Sequence, residues 1–459
     1  MLEDTIAAIA TPPGEGGIGI VRVSGPEAVR IGDKVFRPRK GRPLKETETH
    51  RLRLGWAIEP ESGEILDEVL AVVMRAPRSY TAEDVVELHC HGGPLACGRV
   101  LQAVLRAGAR LAEPGEFTRR AFLNGRLDLA QAEAVLTIIR ARSRAGLAAA
   151  VGQLAGDLSG RVKELKDEIT GVLAAVEASL DFPEEVGEPG PAERERLVRV
   201  KEGIARLLET WDEGRILSLG VKVALVGRPN VGKSSLLNAL LREERAIVSE
   251  IPGTTRDTIS EVVQLGGIPC QLVDTAGLRE AAEGVERLGI ARSRAAAEAA
   301  DLVLLVLDLT AGITPEDESI AEELKGKTVI VVGNKVDAVE QVDRERLARW
   351  AGEWPWIVVS AKTREGLEDL ARIVRDTVLG GRAWREPGEP VVLRERHRAA
   401  LERALRSVEE GLAAWQEGWS WDVVCIDLYA AWEALGEITG ETAREDLLDR
   451  IFSEFCLGK

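Results

Sequence analysis

The chain has 459 residues, 45% of them hydrophobic and 30% charged, and a formal net charge of −16. The length predicts about three domains, and the composition is that of a folded globular protein rather than a disordered one. The acidic excess argues against a protein that coats nucleic acid, because binding phosphates requires concentrated positive charge.

Neither a membrane segment nor a disulfide framework is predicted. The longest apolar runs have strand length, and the acidic N-terminus does not resemble a signal peptide. The five cysteines are scattered and odd in number, and Cys90 and Cys97 with His89 and His91 lack a standard structural-zinc spacing. We therefore expect a cytoplasmic protein without a zinc site.

The first half of the chain contains two segments with different residue patterns. Residues 1–120 contain β-branched runs, such as Ile18 to Val23, separated by Gly/Pro turns, which predicts a mixed domain rich in strands. Residues 121–217 are rich in Ala and Leu at helical spacing, which predicts a helical segment. Pro, Gly and acidic residues at 181–191 predict a loop that interrupts it.

Basic residues cluster locally at two places in this half. Arg119 and Arg120 are adjacent, and Arg140, Arg142 and Arg144 form a second group. Runs this short are typical of solvated helix faces, and we interpret both groups in that way.

Strands and helices alternate in residues 218–380, which predicts a mainly parallel sheet with helices on both faces. Helical spacing returns over residues 381–459, so the α/β unit is predicted to be inserted between two helical segments. Whether those two segments pack together as one domain stays open. The predicted strands are Val221 to Val226, Leu302 to Leu307, Thr328 to Val332 and Ile357 to Val359.

A phosphate-binding loop follows the first of these strands. Gly227-Arg-Pro-Asn-Val-Gly-Lys-Ser234 fits the pattern G-x-x-x-x-G-K-[ST], between a strand and a predicted helix. Its backbone N–H groups and the helix N-terminus favour phosphate, Lys233 reaches the β- and γ-phosphates, and the Ser234 hydroxyl is a Mg²⁺ ligand. The predicted contacts are Asn230, Val231, Gly232, Lys233, Ser234 and Ser235.

Two later motifs select guanine. The Asp337 carboxylate accepts hydrogen bonds from guanine N1–H and from the exocyclic amine, a donor pair that adenine lacks. The Ala361 N–H is predicted to donate to guanine O6. The predicted base-reading residues are Asn334, Lys335 and Asp337, then Ser360, Ala361 and Lys362.

Two elements between these motifs are predicted to complete the Mg²⁺ and γ-phosphate contacts. Thr255 lies in Gly253-Thr-Thr-Arg-Asp257 and supplies a second hydroxyl ligand for Mg²⁺. Asp274 holds the Mg²⁺ shell, and the Gly277 N–H contacts the γ-phosphate. The sequence therefore predicts a Mg²⁺-dependent GTPase.

Two residues make this GTPase unusual. Leu278 occupies the place where many regulatory GTPases have a water-positioning glutamine, so either hydrolysis is feeble or another group supplies that function. The side-chain oxygen of Asn230 suits a monovalent cation that would replace an arginine finger. The residue is equally suited to shaping a Pro-Asn turn, and the residues alone leave both readings open.

Motifs outside the GTPase segment point to a known family. They include Ala10-Thr-Pro-Pro-Gly14, Tyr80-Thr-Ala-Glu-Asp84, Pro114-Gly-Glu-Phe-Thr118 and the terminal Cys456-Leu-Gly-Lys459. With these motifs in order, the chain resembles the MnmE (TrmE) family of tRNA-modification GTPases over essentially its full length. The resemblance implies an N-terminal α+β folate-binding-type domain, an α-helical domain, and a P-loop GTPase domain inserted into the latter.

The resemblance also implies an activity. Members form homodimers through their N-terminal domains and work with an FAD-dependent partner, MnmG. Together they modify carbon 5 of the wobble uridine of certain tRNAs, using a one-carbon unit from 5-formyl- or 5,10-methylene-tetrahydrofolate. The alternative function is a regulatory GTPase switch in ribosome or RNA assembly, which the folate-type flanking segments argue against.

Site residues follow from the same resemblance. The implied folate contacts are Arg22, Glu87, Arg126 and Lys459. The implied K⁺ ligands are Asn230, Ser249, Ile251 and Thr254. Glu286 is implied to orient the attacking water. The expected catalytic residues are therefore Glu286, Asn230 and Thr255. Cys456 is left unassigned, as either a nucleophile near folate or a small buried residue.

Overall fold

The computed structural model describes residues 4–243, 261–274, 297–381 and 389–459. The chain divides into two units. One comprises Met1–Leu136, Ser159–Arg196 and Arg406–Lys459, and the other comprises Thr137–Leu158 and Leu197–Leu405. The boundaries at residues 120, 217 and 380 are finer than this division and remain predictions.

The first unit contains a mixed sheet. Its N-terminal elements are β1 (Ile6–Ile9), β2 (Gly16–Ser24), α1 (Ala28–Val35), β3 (Phe36–Pro38), β4 (Arg53–Ile58), β5 (Ile65–Met74), β6 (Val85–Gly92), α2 (Pro94–Arg106), β7 (Arg110–Leu111) and α3 (Glu116–Leu123). The seven described strands have the order β3-β4-β5-β6-β2-β1-β7, and β1 pairs with β7 in parallel. Alternation along β2 buries Val21 and Val23 in a core shared with α1 and α2 and turns Arg22 to the other face.

Helices follow over residues 129–219. They are α4 (Leu129–Arg140), α5 (Arg144–Ala155), α6 (Asp157–Asp181), α7 (Pro183–Val186), α8 (Pro191–Leu208) and α9 (Trp211–Leu219). The predicted loop at 181–191 is wrong in part, because it contains the short helix α7. Pro183 and Pro191 each begin a helix, since the first position of a helix does not need the N–H that proline lacks.

The second unit contains the predicted parallel sheet. Its elements are β8 (Val221–Val226), α10 (Lys233–Glu243), β9 (Glu261–Leu265), β10 (Ile268–Asp274), β11 (Leu302–Asp308), α11 (Pro315–Glu323), β12 (Val329–Asn334), α12 (Arg344–Ala351), β13 (Trp356–Val358) and α13 (Leu367–Val378). The six described strands have the order β13-β12-β11-β8-β10-β9. All pairs are parallel except the β9–β10 hairpin, so the prediction of a mainly parallel sheet is confirmed. Apolar cores on its two faces contain residues of α10 and α13 and residues of α12.

The C-terminal segment is helical, as predicted, with α14 (Glu395–Glu417), α15 (Trp421–Thr439) and α16 (Glu445–Ser453). Within the first unit, Trp432 of α15 donates from Nε1 to the Thr170 hydroxyl of α6 at 3.1 Å. The Lys166 ammonium lies 3.8 Å from the Trp432 ring centroid. Helices from both sides of the inserted segment therefore pack together. None of the described helices has the length and apolar character that crossing a bilayer requires.

One arginine differs from its prediction. Arg120 is completely buried, and its guanidinium contacts the carboxylates of Asp4 at 2.7 Å, Glu116 at 3.0 Å and Glu83 at 3.3 Å. The interpretation as a solvated helix face is therefore wrong for Arg120. The three carboxylates lie at 4, 83 and 116 in the chain, so only folding assembles the group that compensates the buried charge.

Candidate functional site

The first candidate site lies at the carboxyl edge of the parallel sheet in the second unit. β8 ends at Val226, directly before the phosphate loop at residues 227–234. β12 ends at Asn334, and Ser360 follows β13 closely. The carboxyl ends of parallel strands share one edge, which is where ligands bind in open α/β sheets. The structure thus brings the phosphate motif and the base-reading motifs together.

Backbone conformation in the phosphate loop explains its glycines. Gly227, Asn230 and Gly232 have φ values of 150°, 63° and 97°. A Cβ atom at Gly232 would lie 2.2 Å from Asn334 Nδ2, and one at Gly227 would lie 2.3 Å from the Val306 carbonyl oxygen. Side chains are therefore excluded at both glycines, and the backbone is free to curve around an anion.

Lys233 lies inside this loop. Its Nζ donates to the carbonyl oxygens of Gly227 at 2.6 Å and Arg228 at 2.7 Å. The ammonium is thus held inside the curve of the loop by two backbone carbonyl oxygens. Ser234 and Ser235 are exposed at the start of α10, as a hydroxyl ligand for Mg²⁺ requires.

Hydrogen bonds connect the base-reading loops to the phosphate loop. Asn334 Nδ2 donates to the Val231 carbonyl oxygen at 2.9 Å, and Asn334 Oδ1 accepts from the Ala361 N–H at 3.1 Å. Ser360 Oγ donates to Asp337 Oδ1 at 2.6 Å and orients that carboxylate. Asn334 is buried and Asp337 is exposed. Asn334 therefore connects the two loops, and the Asp337 carboxylate is held at the surface beside them.

Sequence reasoning missed Asp308, the last residue of β11. Its Oδ2 accepts from Lys335 Nζ at 2.6 Å, and the same ammonium donates to the Asn230 carbonyl oxygen at 2.9 Å. Burial raises the pKa of the Asp308 carboxyl, but hydrogen bonds from Lys335 and Thr310 outweigh burial and hold the pKa below its usual range. The sequence could have revealed Asp308 by its position, because it is an aspartate that directly follows a buried apolar run at the edge where ligands bind.

Arg228 was also missed. Its Nε donates at 2.8 Å to Asp317 Oδ1, and Asp317 is completely buried. Asp317 Oδ2 also accepts from the backbone N–H and the hydroxyl of Thr314, which caps α11. The phosphate loop is thereby attached to the first turn of α11.

Several predicted residues lie outside the described residues. They are the K⁺ ligands Ser249, Ile251 and Thr254, the Mg²⁺ ligand Thr255, Gly277, Leu278 and the water-orienting Glu286. Asp274 ends β10, where it is in register with Leu225 of β8. Asn230 is exposed in the phosphate loop. No group of three or more His, Cys, Asp or Glu side chains arranged to hold a metal ion occurs among the residues that the structure describes.

The second candidate site lies in the first unit, where the four implied folate contacts come together around Tyr80. Arg22 Nε pairs with Glu87 Oε1 at 2.8 Å on neighbouring strands. The cationic groups of Arg22, Arg126 and Lys459 lie 5.3, 5.1 and 5.9 Å from the centroid of the Tyr80 ring. Cations from three distant parts of the sequence thus share one aromatic ring, and Glu87 joins them through its ion pair with Arg22. We name Tyr80 and these four residues the Tyr80 cluster.

Protonation in the Tyr80 cluster is set by burial and by neighbouring charges. Burial raises the pKa of the Tyr80 phenol, whose oxygen is 2.9 Å from the Thr118 hydroxyl. Burial also raises the pKa of Glu87, but a hydrogen bond with His89 and the charge of Arg22 outweigh it, so that pKa is lowered. Burial and the nearby Arg22 lower the pKa of Lys459.

The C-terminal segment is anchored in this site. Gly458 has a φ of 89°, and a Cβ there would lie 2.3 Å from the Ile9 carbonyl oxygen, so glycine is required. The Phe117 N–H donates to the Lys459 carbonyl oxygen at 3.1 Å. Cys456 is exposed, so its interpretation as a small buried residue is wrong.

The buried thiols near the sheet differ from Cys456. The Sγ atoms of Cys90 and Cys97 are 3.6 Å apart, and both residues are buried. Burial and the neighbouring Cys97 raise the pKa of Cys90 to about 12, which keeps the thiol protonated.

The arrangement around Tyr80 suits an anionic ligand with an aromatic ring. The cations can pair with carboxylates, and Glu87 can accept hydrogen bonds from ring amino groups. The indicated ligand class is an anion that also carries hydrogen-bond donors on its ring.

Comparisons with known proteins cover the whole chain. Residues 5–126 match the family described as the GTP-binding protein TrmE N-terminus, and residues 129–456 match the MnmE helical domain. Similar proteins named tRNA modification GTPase MnmE come from Moorella thermoacetica, 61% identical, and from Heliobacterium modesticaldum, 53% identical; each alignment covers 100% of both chains. A third, from Geobacillus thermodenitrificans, is 48% identical over 99% of both chains.

Proposed function

This chain belongs to the MnmE family of tRNA-modification GTPases, and we propose that it is a K⁺-activated GTP hydrolase that modifies carbon 5 of the wobble uridine in certain tRNAs. In this proposal it acts in the cytoplasm as a homodimer, with an FAD-dependent partner of the MnmG type and a folate one-carbon unit. The observation that carries the proposal is the presence, in one chain, of a guanine-nucleotide site and of the Tyr80 cluster.

GTP selection rests on Asp337. Ser360 orients its carboxylate, and an exposed carboxylate at this position pairs with the two donors of the guanine edge. Lys233 and the loop N–H groups bind the β- and γ-phosphates. Ser234 and Thr255, with Asp274, would hold Mg²⁺, which supplies positive charge at the phosphates.

Hydrolysis needs a further positive charge next to the γ-phosphate, to stabilise the transition state. Asn230 of the phosphate loop is exposed and has a left-handed φ of 63°. Asn230 with Ser249, Ile251 and Thr254 would hold K⁺, which supplies the charge that an arginine finger gives elsewhere. Glu286 orients the water in place of the aliphatic Leu278.

Folate binding is assigned to the Tyr80 cluster. In this assignment Glu87 accepts hydrogen bonds from the pterin amino groups, and Arg22 lies at the same end of the ligand because it pairs with Glu87. Arg126 and Lys459 supply positive charge for the folate carboxylates. The lowered pKa of Glu87 supports this role, because an ionised carboxylate is the stronger acceptor.

An exposed apolar pair supports the homodimer. Leu54 of β4 and Leu70 of β5 are cross-strand partners and are 43% and 38% exposed. Their neighbours Ala57, Val69 and Ala71 are buried on the helix-covered face, so the leucines lie on the opposite face of the sheet. A second copy of the chain would cover them, as N-terminal dimerisation requires.

Mass spectrometry of tRNA nucleosides tests the proposal. Cells that lack this chain are expected to lose the wobble-uridine modification. Expression of the wild type restores it, whereas Asp337→Asn and Arg22→Ala do not. If the wobble-uridine modification is still present in the deletion strain, the assigned pathway is overturned. An unchanged level of the wobble-uridine modification, together with accumulated ribosomal RNA precursors, would instead support the assembly switch.

A further inference from the structure

One stretch of this acidic chain is strongly basic. Residues 37–53 contain seven Lys and Arg residues and two Glu residues, although the chain as a whole has a net charge of −16. We name this stretch the basic edge. All of its Lys and Arg residues are exposed except Arg53, which is half-buried. A short segment this rich in Lys and Arg is a candidate contact for nucleic-acid phosphates.

The fold holds the basic edge against the border of the sheet. It begins in β3, which is the edge strand in the strand order and pairs with β4. Leu44 is completely buried, and the Asp33 carboxylate accepts hydrogen bonds from the N–H groups of Leu44 at 2.6 Å and Lys45 at 3.2 Å. Arg75 Nη2 donates to the Lys45 carbonyl oxygen at 2.8 Å. The charges are therefore presented on an ordered backbone.

Much of this positive charge is not neutralised. Arg37 and Lys40 have no carboxylate of a described residue within the 4.0 Å of an ion pair. Arg42 contacts Glu46 only at 3.8 Å, with side chains that are 77% and 48% exposed. Exposed pairs of this kind contribute little free energy, so phosphate oxygens can compete for the arginine.

The basic edge and the Tyr80 cluster belong to one sheet. The face between them carries the Leu54–Leu70 pair of the proposed dimer contact, so tRNA is expected to follow the edge of the sheet rather than this face. Arg37, Trp56 and Glu68 are cross-strand partners and share a face, which is also the face of Leu70 and its partner His89. His89 is hydrogen-bonded to Glu87 of the Tyr80 cluster. The strand order places β3 three strand spacings from β6, about 14 Å.

We propose that the basic edge is the surface on which tRNA docks through its phosphate backbone. The inference rests on the proposed function, since it presupposes that a tRNA base is modified near the Tyr80 cluster. Backbone contacts position a nucleic acid without reading its sequence, so the basic edge supplies affinity and orientation. It also resolves how a chain of net charge −16 attracts RNA, because binding depends on local charge.

The test measures binding of unfractionated tRNA to the full chain by fluorescence anisotropy over a series of salt concentrations. The variant Lys40→Glu with Arg42→Glu reverses two exposed charges on the basic edge. The matched control, Arg142→Glu with Arg144→Glu, makes the same charge change at two exposed arginines of the second unit. Thermal unfolding of all three proteins checks that each one folds.

We expect the basic-edge variant to weaken tRNA binding by at least about tenfold and to reduce the slope of log affinity against log salt by about 2. The control variant is expected to keep both values. Unchanged affinity in the basic-edge variant, or an equal loss in the control, overturns the docking surface and leaves the proposed function standing.

Two further outcomes are decisive. If wild-type chain binds no tRNA even at low salt, the proposed function fails together with the docking surface. Vesicles containing anionic phospholipid are measured in parallel. If the basic-edge variant loses vesicle binding but keeps its affinity for tRNA, the basic edge is a membrane contact and the proposal is overturned.

Discussion

The side chain of Asn334 donates from Nδ2 to the carbonyl oxygen of Val231 at 2.9 Å, so the end of one strand holds the loop that follows another. The same side chain accepts from the Ala361 N–H at 3.1 Å. The phosphate loop and the predicted base-reading loop at Ala361 are thereby joined through one buried amide.

Asn334→Ala is therefore expected to weaken GTP binding rather than to change base specificity. The substitution leaves the Val231 carbonyl and the Ala361 N–H without their partner, at about 1–3 kcal/mol for each buried group. The dissociation constant for GTP, measured by calorimetry, should rise by at least about thirtyfold. Asn238→Ala, an exposed asparagine on α10, is the matched control and should bind GTP normally. Equal affinities in both variants would contradict the coupling.

Asp337→Asn is expected to exchange guanine for xanthine. The carboxylate accepts from the guanine amine, whereas an asparagine amide can donate to the oxygen that xanthine carries at that position. Competition binding should show GTP weakened by about a hundredfold and XTP strengthened relative to wild type. Retained preference for GTP would place base recognition elsewhere.

GTP hydrolysis is expected to be at least about tenfold faster in KCl than in NaCl of equal ionic strength, because K⁺ supplies transition-state charge. Asn230→Ala should remove this difference while GTP affinity is retained. Steady-state phosphate release measures the rates. Equal rates of the wild type in the two salts would exclude the cation mechanism and leave Asn230 as a turn residue.

The Tyr80 ring is expected to organise the folate site. Tyr80→Leu removes the aromatic face near Arg22, Arg126 and Lys459, at about 0.5–1 kcal/mol for each cation. Calorimetry with 5-formyltetrahydrofolate should show affinity lower by about tenfold. Tyr80→Phe keeps the ring and loses only the contact with Thr118, so its affinity should stay close to wild type. An equal loss in both variants would assign the effect to the hydroxyl.

Acid is expected to destabilise the first unit through the buried Arg120. Burial raises the pKa values of Asp4 and Glu116, but the guanidinium groups of Arg110 and Arg120 outweigh burial and lower both. A carboxyl whose pKa is lower in the folded state than in the unfolded state stabilises the fold at pH values above its unfolded pKa. That stability is lost as the pH falls below about 4 and through the folded pKa values.

Glu116→Gln measures this contribution. Removing one partner of the buried group should cost about 3 kcal/mol at pH 7. The difference from wild type should shrink as the pH is lowered, because the wild-type carboxylate is then protonated. Chemical unfolding followed by circular dichroism between pH 7 and 3 checks the trend. A constant difference across that range would show that the effect of Glu116 is independent of its charge.

Much of the second unit was predictable because its signals are local. The apolar run Val221 to Val226 is β8, and the glycines of the next loop occupy the positive φ values that phosphate binding requires. The predicted strand from Thr328 to Val332 instead extends to Asn334, where the polar side chain is buried by the hydrogen bonds of the neighbouring loops.

The sequence by itself determined the order of elements, the phosphate loop and the base-reading motifs, because each depends on neighbours within a few residues. Its motifs also pointed to Arg22, Glu87, Arg126 and Lys459, but only through resemblance to a family. The tertiary structure alone decided that the three cations meet at Tyr80 while Glu87 pairs with Arg22, that Arg120 is buried, and that the basic stretch begins in the edge strand of a sheet. Those relationships depend on strand order and on contacts between distant residues, which the spacing of residues along one segment does not encode.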